Sequence, residues 1–471
     1  MKRLMMNLSA ITLLVLTLGG CAMFSPEARE KAPISMPEKF SLYTEADTGP
    51  GKWWQAFGSK ELDAMVEEAL TGNFDIRTAL ANVKQAEAEA EKAGANLSPT
   101  VGYNGGAEVS RRQTDIDAES SSTENSQAFN AGFSAIYEVD LWGRLEALHT
   151  SELLTYQATR EELDAAAYTV ATDVVNSWID ILSVRQEITI LEKQIEINKR
   201  ILALQELRFI NGRADTLDLS QQKEALAKSK AILPTLMLKE EQGRNALAIL
   251  LGRAGKGDIS IARTELPDLI PLPKTGLPAD LLASRPDIRA AGLRLKAADW
   301  QVSAARADRL PSLTLSADAV LSSSSLDLLF SNWVSSLAAS ITGPLFDAGA
   351  KSAEVDRMRA EADKYLTAYA GTVAEAVREV EDGLVAEKRR TEYIGLLKDQ
   401  LEASRLTVKD AHLQYLNGKD NYLDYLSSWT SVQSLERQLV EEEAALLKNR
   451  VVLYKTLGGD WGQKLSASVS K

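Results

Sequence analysis

Cysteine is nearly absent from this sequence: the 471 residues hold one, Cys21. A disulfide within the chain is therefore excluded. Histidine is almost as scarce. His149 and His412 fall on separate long helical patterns without ligand-spaced partners, so no metal centre is expected. Five of the eight methionines precede residue 37, so no methionine ladder for a soft metal ion runs through the body of the chain. Basic charge is not in excess. A formal net charge of −13 leaves no cationic stripe to neutralise phosphates, which argues against a nucleic-acid partner. Beyond the first twenty residues nothing approaches the roughly 20 apolar residues of a membrane-spanning helix, so any crossing of a bilayer must be made by strands. GRAGKGD, Gly252 to Asp258, has glycines and a lysine but no Gly-Lys-Ser/Thr ending and no strand before it. It reads as a helix stop followed by a turn, not as a phosphate loop. No catalytic residues emerge, and the expectation is a protein that is not an enzyme.

What is present begins with a targeting segment over residues 1–20. Lys2 and Arg3 supply a positive start, Leu8 to Leu18 is apolar, and Leu18-Gly19-Gly20-Cys21 follows. That ending resembles the lipobox of bacterial lipoproteins. It implies that Cys21 becomes the N-terminus, carrying N-acyl and S-diacylglycerol lipid, and so cannot serve as a nucleophile. Acyl chains would anchor the protein to a membrane. Ala22, where inner-membrane retention uses Asp, implies sorting to the outer membrane. A buried free thiol is the plainer alternative. Residues 21–58, with Pro26, Pro33, Pro37 and Pro50, read as an extended tail.

The chain then says the same thing twice. LRFINGRADTLDLS, from Leu207, aligns without gaps on LQYLNGKDNYLDYL, from Leu413, a displacement of 206 residues. Asp75-Ile76-Arg77 recurs as Asp287-Ile288-Arg289, Pro99 as Pro311, Gly143 as Gly349, and Leu251-Gly252 as Leu457-Gly458. The displacement is too long for a solenoid period of roughly 20–50 residues and reads as a duplicated domain. The repeats are placed at 59–252 and 279–458, with a Gly- and Pro-containing connector at 253–278 and a C-terminal tail at 459–471. In the first repeat, Leu163, Ala167, Val170, Val174, Ser177 and Ile181 open a 4,3 spacing that runs through Val184, Ile188, Leu191, Ile195 and Asn198 to Leu202. Such spacing marks a coiled-coil helix, which from Gly143 to Phe209 would be roughly 100 Å long. Asn211-Gly212 and Asn417-Gly418 close the two long helices, since both residue types accept a left-handed conformation. A returning helix follows each turn. The first, from about Asp215 to Leu251, contains Pro234, which should bend it.

Between Pro99 and Gly143 the helical period gives way to alternation. Val101, Tyr103, Gly105, Ala107 and Val109 form one face of a segment, and Phe129, Ala131, Phe133, Ala135 and Tyr137 one face of another. The second repeat matches with Leu313, Leu315, Ala317 and Ala319, then Trp333, Leu337, Ala339 and Ile341. Strands are predicted at about 100–110, 128–139, 311–321 and 332–342, with polar loops between the members of each pair. Ten-residue segments with one oily side fit a transmembrane barrel, and equally the edge of a soluble sandwich. The anchor and the long helices favour the barrel. Four strands cannot close one, and open edges are not tolerated in lipid, so three chains pooling twelve strands are expected.

Together these motifs identify a family. Trp53-Trp54, YEVDLWGR at Tyr137 to Arg144, SRPDIRAA at Ser284 to Ala291, GPLFDAG at Gly343 to Gly349 and YLNGKDNYLDYL at Tyr415 to Leu426 join the lipobox and Asp75-Ile76-Arg77. The set resembles the TolC-like outer-membrane efflux lipoproteins, of the NodT and OprM type. The resemblance implies an α+β membrane protein: a homotrimeric channel-tunnel with a twelve-stranded barrel in outer-membrane lipid and a periplasmic helical tube. It implies no cofactor beyond the lipid on Cys21. It also implies a periplasmic adaptor and an inner-membrane resistance-nodulation-division pump as partners, with small molecules as cargo. The hairpin tips at Asn211, Gly212, Asn417 and Gly418 would ring the periplasmic entrance, where Asp218, Asp424 and Tyr415 correspond to gate residues. Ser427 stands where some relatives carry a further aspartate, so the acidic constriction is expected to be weaker. From the residues themselves, Asp218 and Asp424 could equally stabilise helix N-termini, and Tyr415 could be a packed core aromatic. A protein-secretion channel and a structural coiled-coil envelope lipoprotein remain the alternatives.

Overall fold

The computed structural model describes residues 24–26, 36–41, 51–117, 120–254, 259–276 and 278–458, with the side chains of 115–122 left aside. The targeting segment 1–20, Cys21 and the tail 459–471 lie outside the described residues, as does 255–258 of the connector. Two units emerge, one holding Asn82–Thr159 and Ala290–Ala370, the other Ile34–Ala81, Arg160–Arg289 and Gly371–Lys471.

A four-stranded antiparallel sheet is the centre of the first unit. Its strands are β1 Thr100–Asp117, β2 Ser120–Val139, β3 Ser312–Ser323 and β4 Trp333–Thr342, paired in chain order. The register sets Tyr103 against Phe133, Phe133 against Ala319, and Ala135 against Ala317 beside Leu337. Side chains alternate across a strand, so these residues share one face. That face is apolar and uncovered: Tyr103 is 86% and Leu337 83% exposed. Its apolar layers run from Val139, Leu313 and Ile341 to Ala107 and Phe129, ten residues along β2. At ~3.4 Å per residue and a tilt near 40° that band is about 26 Å tall, against about 25 Å for the apolar belt of a membrane barrel. The outer edges of β1 and β4 have no strand partner among the described residues.

The sheet departs from the sequence expectation at the β1–β2 connection. Pairing continues past Val109↔Gln127 to Asp115↔Ser121, where a polar loop is predicted. Residues 110–114 and 123–127 are polar on both faces, so no alternation announces the ribbon; its backbone hydrogen bonds form regardless.

Seven longer helices complete the repeats among the described residues. The first half has α1 Lys60–Gly72, α2 Phe74–Ala95, α3 Arg144–Ile210 and α4 Thr216–Leu250. The second has α5 Pro286–Ala307, α6 Ala350–Leu416 and α7 Tyr422–Leu457; only α1 lacks a helix of comparable length there. Both long helices have 67 residues, and α4 continues through Pro234 without a break. Ser59 caps α1 by accepting from the Leu62 N–H.

In the second unit the repeat survives at the level of single contacts. Asn73 Nδ2 donates to the Leu250 carbonyl at 2.9 Å, and Arg285 Nη1 donates to the Thr456 carbonyl at 3.2 Å. These pairs are repeat mates: each binds the last turn of a returning helix to the start of a shorter one. Gly252 and Gly458 end those returning helices at φ 76° and 75°. A Cβ on Gly252 would lie 2.1 Å from the Gly72 carbonyl oxygen, and one on Gly458 2.5 Å from that of Ser284. Both positions therefore require glycine twice over, for the left-handed backbone and for the close approach. The Trp53-Trp54 motif is buried here, with Trp53 stacked on Tyr454 at 5.9 Å.

Candidate functional site

The two tips are built alike, bond for bond. At the first, Gly212 takes φ 67°, the Arg213 N–H donates to the Arg208 carbonyl at 2.8 Å, and the Gly212 N–H to that of Phe209 at 3.0 Å. At the second, Gly418 takes φ 66°, with Lys419 donating to Gln414 at 3.0 Å and Gly418 to Tyr415 at 3.1 Å. This 6→1 and 5→2 pattern satisfies carbonyls that a helix end leaves free. Asn211 and Asn417 each turn back to the carbonyl four residues earlier at 2.7 Å. The returning helices are capped by Asp215, which accepts from the Asp218 N–H at 2.8 Å, and by Asn421, which accepts from the Asp424 N–H at 3.0 Å. Asp218 and Asp424 are thus third in their helices, where a carboxylate favours the positive helix end.

Beyond this shared frame the two aspartates differ. The Tyr415 hydroxyl faces two acceptors from the first hairpin, Gln205 Oε1 at 2.9 Å and Asp218 Oδ2 at 3.3 Å. The structure therefore brings Tyr415 and Asp218 together across two hairpins. Asp424 touches no residue of the first hairpin among the contacts at this tip; it is exposed and shares a hydrogen bond with Asp420. That bond, with some desolvation and the charge of Asp420, raises the Asp424 carboxyl above its ordinary value. Burial raises Asp218, and Asp215 adds repulsion; the Tyr415 hydrogen bond pulls the other way. A carboxyl raised in the folded state binds its proton more tightly there than in the unfolded chain. The tip is therefore stabilised by acidification and loses that stability as pH rises through the raised value. Tyr415 itself is pushed up by burial.

Above the tip, the hairpins are joined by a polar seam that the hydrophobic pattern does not reveal. The Tyr422 hydroxyl donates to Gln222 Oε1 at 2.5 Å. Asn198 Oδ1 accepts from the Trp429 indole at 2.9 Å and the Gln433 amide at 3.1 Å, while its amide donates to Ser229 at 3.0 Å. Arg437 Nη1 donates to Gln194 Oε1 at 2.6 Å. Of these residues only Asn198 stands in the predicted heptad. Glu187 and Gln194 lie one position before Ile188 and Ile195 of that heptad, and Gln205 falls where its 4,3 spacing would continue past Leu202; with Asn198, all are buried. Polar side chains buried at such positions fix the register between helices.

Glu187 gives this seam a pH dependence. Burial, and then the charge of Glu441, push its carboxyl up to about 7 against the opposing pull of Lys239, Arg437 and the Ser183 hydroxyl. Between its ordinary value near 4.5 and about 7 the folded chain holds a proton that the unfolded chain releases. Stability should fall across that window as pH rises. Glu187→Gln should melt with the wild type at pH 5 and at a higher temperature than the wild type at pH 8. A variant less stable at both values would show that the carboxylate is needed charged.

Among the described residues no group of three His, Cys, Asp or Glu side chains could hold a metal ion, and no helix is long and apolar enough to cross a membrane. Comparison with known proteins agrees with the geometry. Residues 65–253 and 277–459 match the family described as Outer membrane efflux protein, one segment for each repeat. The chain is 32% identical to the pyoverdine export outer membrane protein OpmQ of Pseudomonas putida, over 87% of this chain and 88% of that one. It is 27% identical to the cation efflux system protein CusC of Escherichia coli, over 95% and 97%. The outer-membrane channel OprN superposes with a TM-score of 0.85 at 26% identity, covering 93% of this chain and 99% of OprN.

Proposed function

This chain belongs to the outer membrane efflux protein family, and from that premise we propose that three copies form a channel-tunnel exporting small toxic molecules from periplasm to exterior. The observation that carries the reading is the sheet: one apolar face of membrane height, with β1 and β4 both lacking a partner at their outer edges among the described residues. Lipid does not tolerate such edges, and pairing β4 of one copy with β1 of the next closes a twelve-stranded barrel. The other face, with Asn104, Asn130, Ser134, Thr314, Ser316, Asp318 and Ser340, then borders water.

The protein is an efflux channel and not an enzyme, and its place is the outer membrane. Transport energy comes from a resistance-nodulation-division pump in the inner membrane, coupled through a periplasmic adaptor that meets the helical tips. Acyl chains on Cys21 add an anchor. The cargo is set by the pump: relatives named for pyoverdine export and for cation efflux share this framework. Asp218, Tyr415 and Asp424 belong to the periplasmic gate, and of these the Tyr415–Asp218 pair ties the hairpins.

Purified protein in planar bilayers should give discrete single-channel steps, and a deletion strain should become sensitive to small toxic compounds while its secreted proteins are unchanged. Silent bilayers would leave a coiled-coil tether as the better reading; a secretion defect with normal drug tolerance would favour a protein channel.

A further inference from the structure

The dipeptide Asn-Gly occurs three times in the chain, at Asn104-Gly105, Asn211-Gly212 and Asn417-Gly418. It is the sequence at which a backbone nitrogen most readily attacks the side chain before it, because glycine has no Cβ to obstruct the approach. The three copies are held differently. In β1, Asn104 is paired with Gly132 and Gly105 with Ala131, so the ladder keeps the backbone extended. Asn211 and Asn417 are exposed at the hairpin tips. A Cβ placed on Gly212 or Gly418 would meet nothing within 4 Å, so open space surrounds both glycines among the described residues.

Both reacting groups of a folded tip are engaged. The nucleophile is the Gly212 nitrogen, whose N–H donates to the Phe209 carbonyl; the target is the Asn211 amide, whose Nδ2 donates to the Leu207 carbonyl. Gly418 and Asn417 are engaged in the same way by Tyr415 and Leu413. Two bonds must break before the nitrogen can turn to Cγ. Both lie at a helix end, where a last turn frays far more often than a paired strand opens.

We propose that Asn211 and Asn417 are sites of spontaneous deamidation, and that local fraying of each turn sets the rate. The Gly212 nitrogen gives up its proton to solvent and bonds to Asn211 Cγ. The Cγ–Nδ2 bond breaks, and ammonia leaves with a proton from water. The cyclic imide so formed adds water at either carbonyl, giving aspartate or isoaspartate; nothing is oxidised or reduced. Asn417 reacts likewise through Gly418. Each conversion exchanges a donor to the Leu207 or Leu413 carbonyl for a negative charge at a helix C-terminus, where such charge is unfavourable. The reaction needs only the fold of the tips and not the channel reading.

The full-length protein in detergent, incubated at mildly alkaline pH and digested for mass spectrometry, provides the test. Asn211 and Asn417 should convert at similar rates, both faster than Asn104. Each should be roughly 25-fold slower than in the guanidinium-unfolded chain, at about fivefold for each of two hydrogen bonds. The helix caps supply the discriminating variants. Asp215→Ala should speed Asn211 about fivefold and leave Asn417 unchanged, and Asn421→Ala should do the reverse. The second variant removes no charge, and in each the untouched tip reports that the rest of the chain is folded. Tip rates no higher than that of Asn104, tip rates equal to those of the unfolded chain, or cap variants that speed both tips alike or neither would overturn the proposal.

Discussion

Channels carrying Tyr415→Phe with Asp218→Ala should leak: their closed-state conductance in planar bilayers rises, and the fraction of time spent open grows by about 10- to 100-fold. Two groups are lost, a hydroxyl donor and its charged acceptor, and a hydrogen bond to a charged group contributes about 1.5–3 kcal/mol net. The phenylalanine ring keeps the aromatic packing on Tyr422, whose centroid lies 5.2 Å away, so the tip remains folded. What fails is the tie between hairpins. Gln205 Oε1 is left buried without the donor at 2.9 Å, which adds its own desolvation cost. The wild type should close more firmly at pH 5 than at pH 7.5, because burial and Asp215 favour the protonated Asp218 carboxyl. The double variant loses this part of the pH response. Tyr415→Phe alone should account for most of the leak at pH 7.5, since removing Asp218 also removes a poorly solvated charge. A closed-state conductance equal to wild type at both pH values would show that the tie does not hold the gate.

The fold was legible because its two periods are so different. Heptads from Leu163 to Leu202 and alternation from Val101 to Val109 leave little room for confusion, and the duplicated Asn-Gly turns mark both tips. The β1–β2 ribbon beyond Val109 was not legible, because a strand in water on both sides carries no hydrophobic period. Asp218, Asp424 and Tyr415 could be singled out, but their different fates could not. Both aspartates sit at the same helical position, and only the neighbouring hairpin distinguishes a half-buried Asp218 from an exposed Asp424. The buried glutamines of the seam escaped for a related reason. Gln194 lies one position off the heptad, and Gln205 just past Leu202 where the series ends, so both count as surface until a partner such as Arg437 or Tyr415 is placed against them.

The largest loss of stability is expected at the base of the second repeat, not at the tips. Arg285→Ala should cost about 1.5–3 kcal/mol at neutral pH, the range for hydrogen bonds to charged groups, because the guanidinium is buried while solvent still reaches the two acids it holds. Its repeat mate change, Asn73→Ala, should cost only about 1–2 kcal/mol, the range for losing a helix cap. Both side chains reach the same carbonyl of a returning helix, yet they are embedded differently. Asn73 is neutral, and its Oδ1 also accepts from the Asp75 N–H at 2.8 Å. Arg285 is buried and holds two acids: Asp287 through Nε at 3.1 Å and Nη2 at 2.6 Å, and Glu379 through Nη1 at 2.7 Å. Burial alone would raise the Asp287 carboxyl, but the hydrogen bonds and charge of Arg285 more than offset it and leave it lowered. A lowered carboxyl contributes stability above its unfolded value, and that stability is lost as pH falls through the folded value. In Arg285→Ala the contribution is gone, and two acids face each other without a cation. Protonation relieves them, so the gap between variant and wild type should narrow from pH 7.5 to pH 4. Thermal unfolding in detergent at the two pH values measures both effects. Equal losses for the two alanine variants, or a gap for Arg285→Ala that ignores pH, would mean that the arginine acts only as a cap.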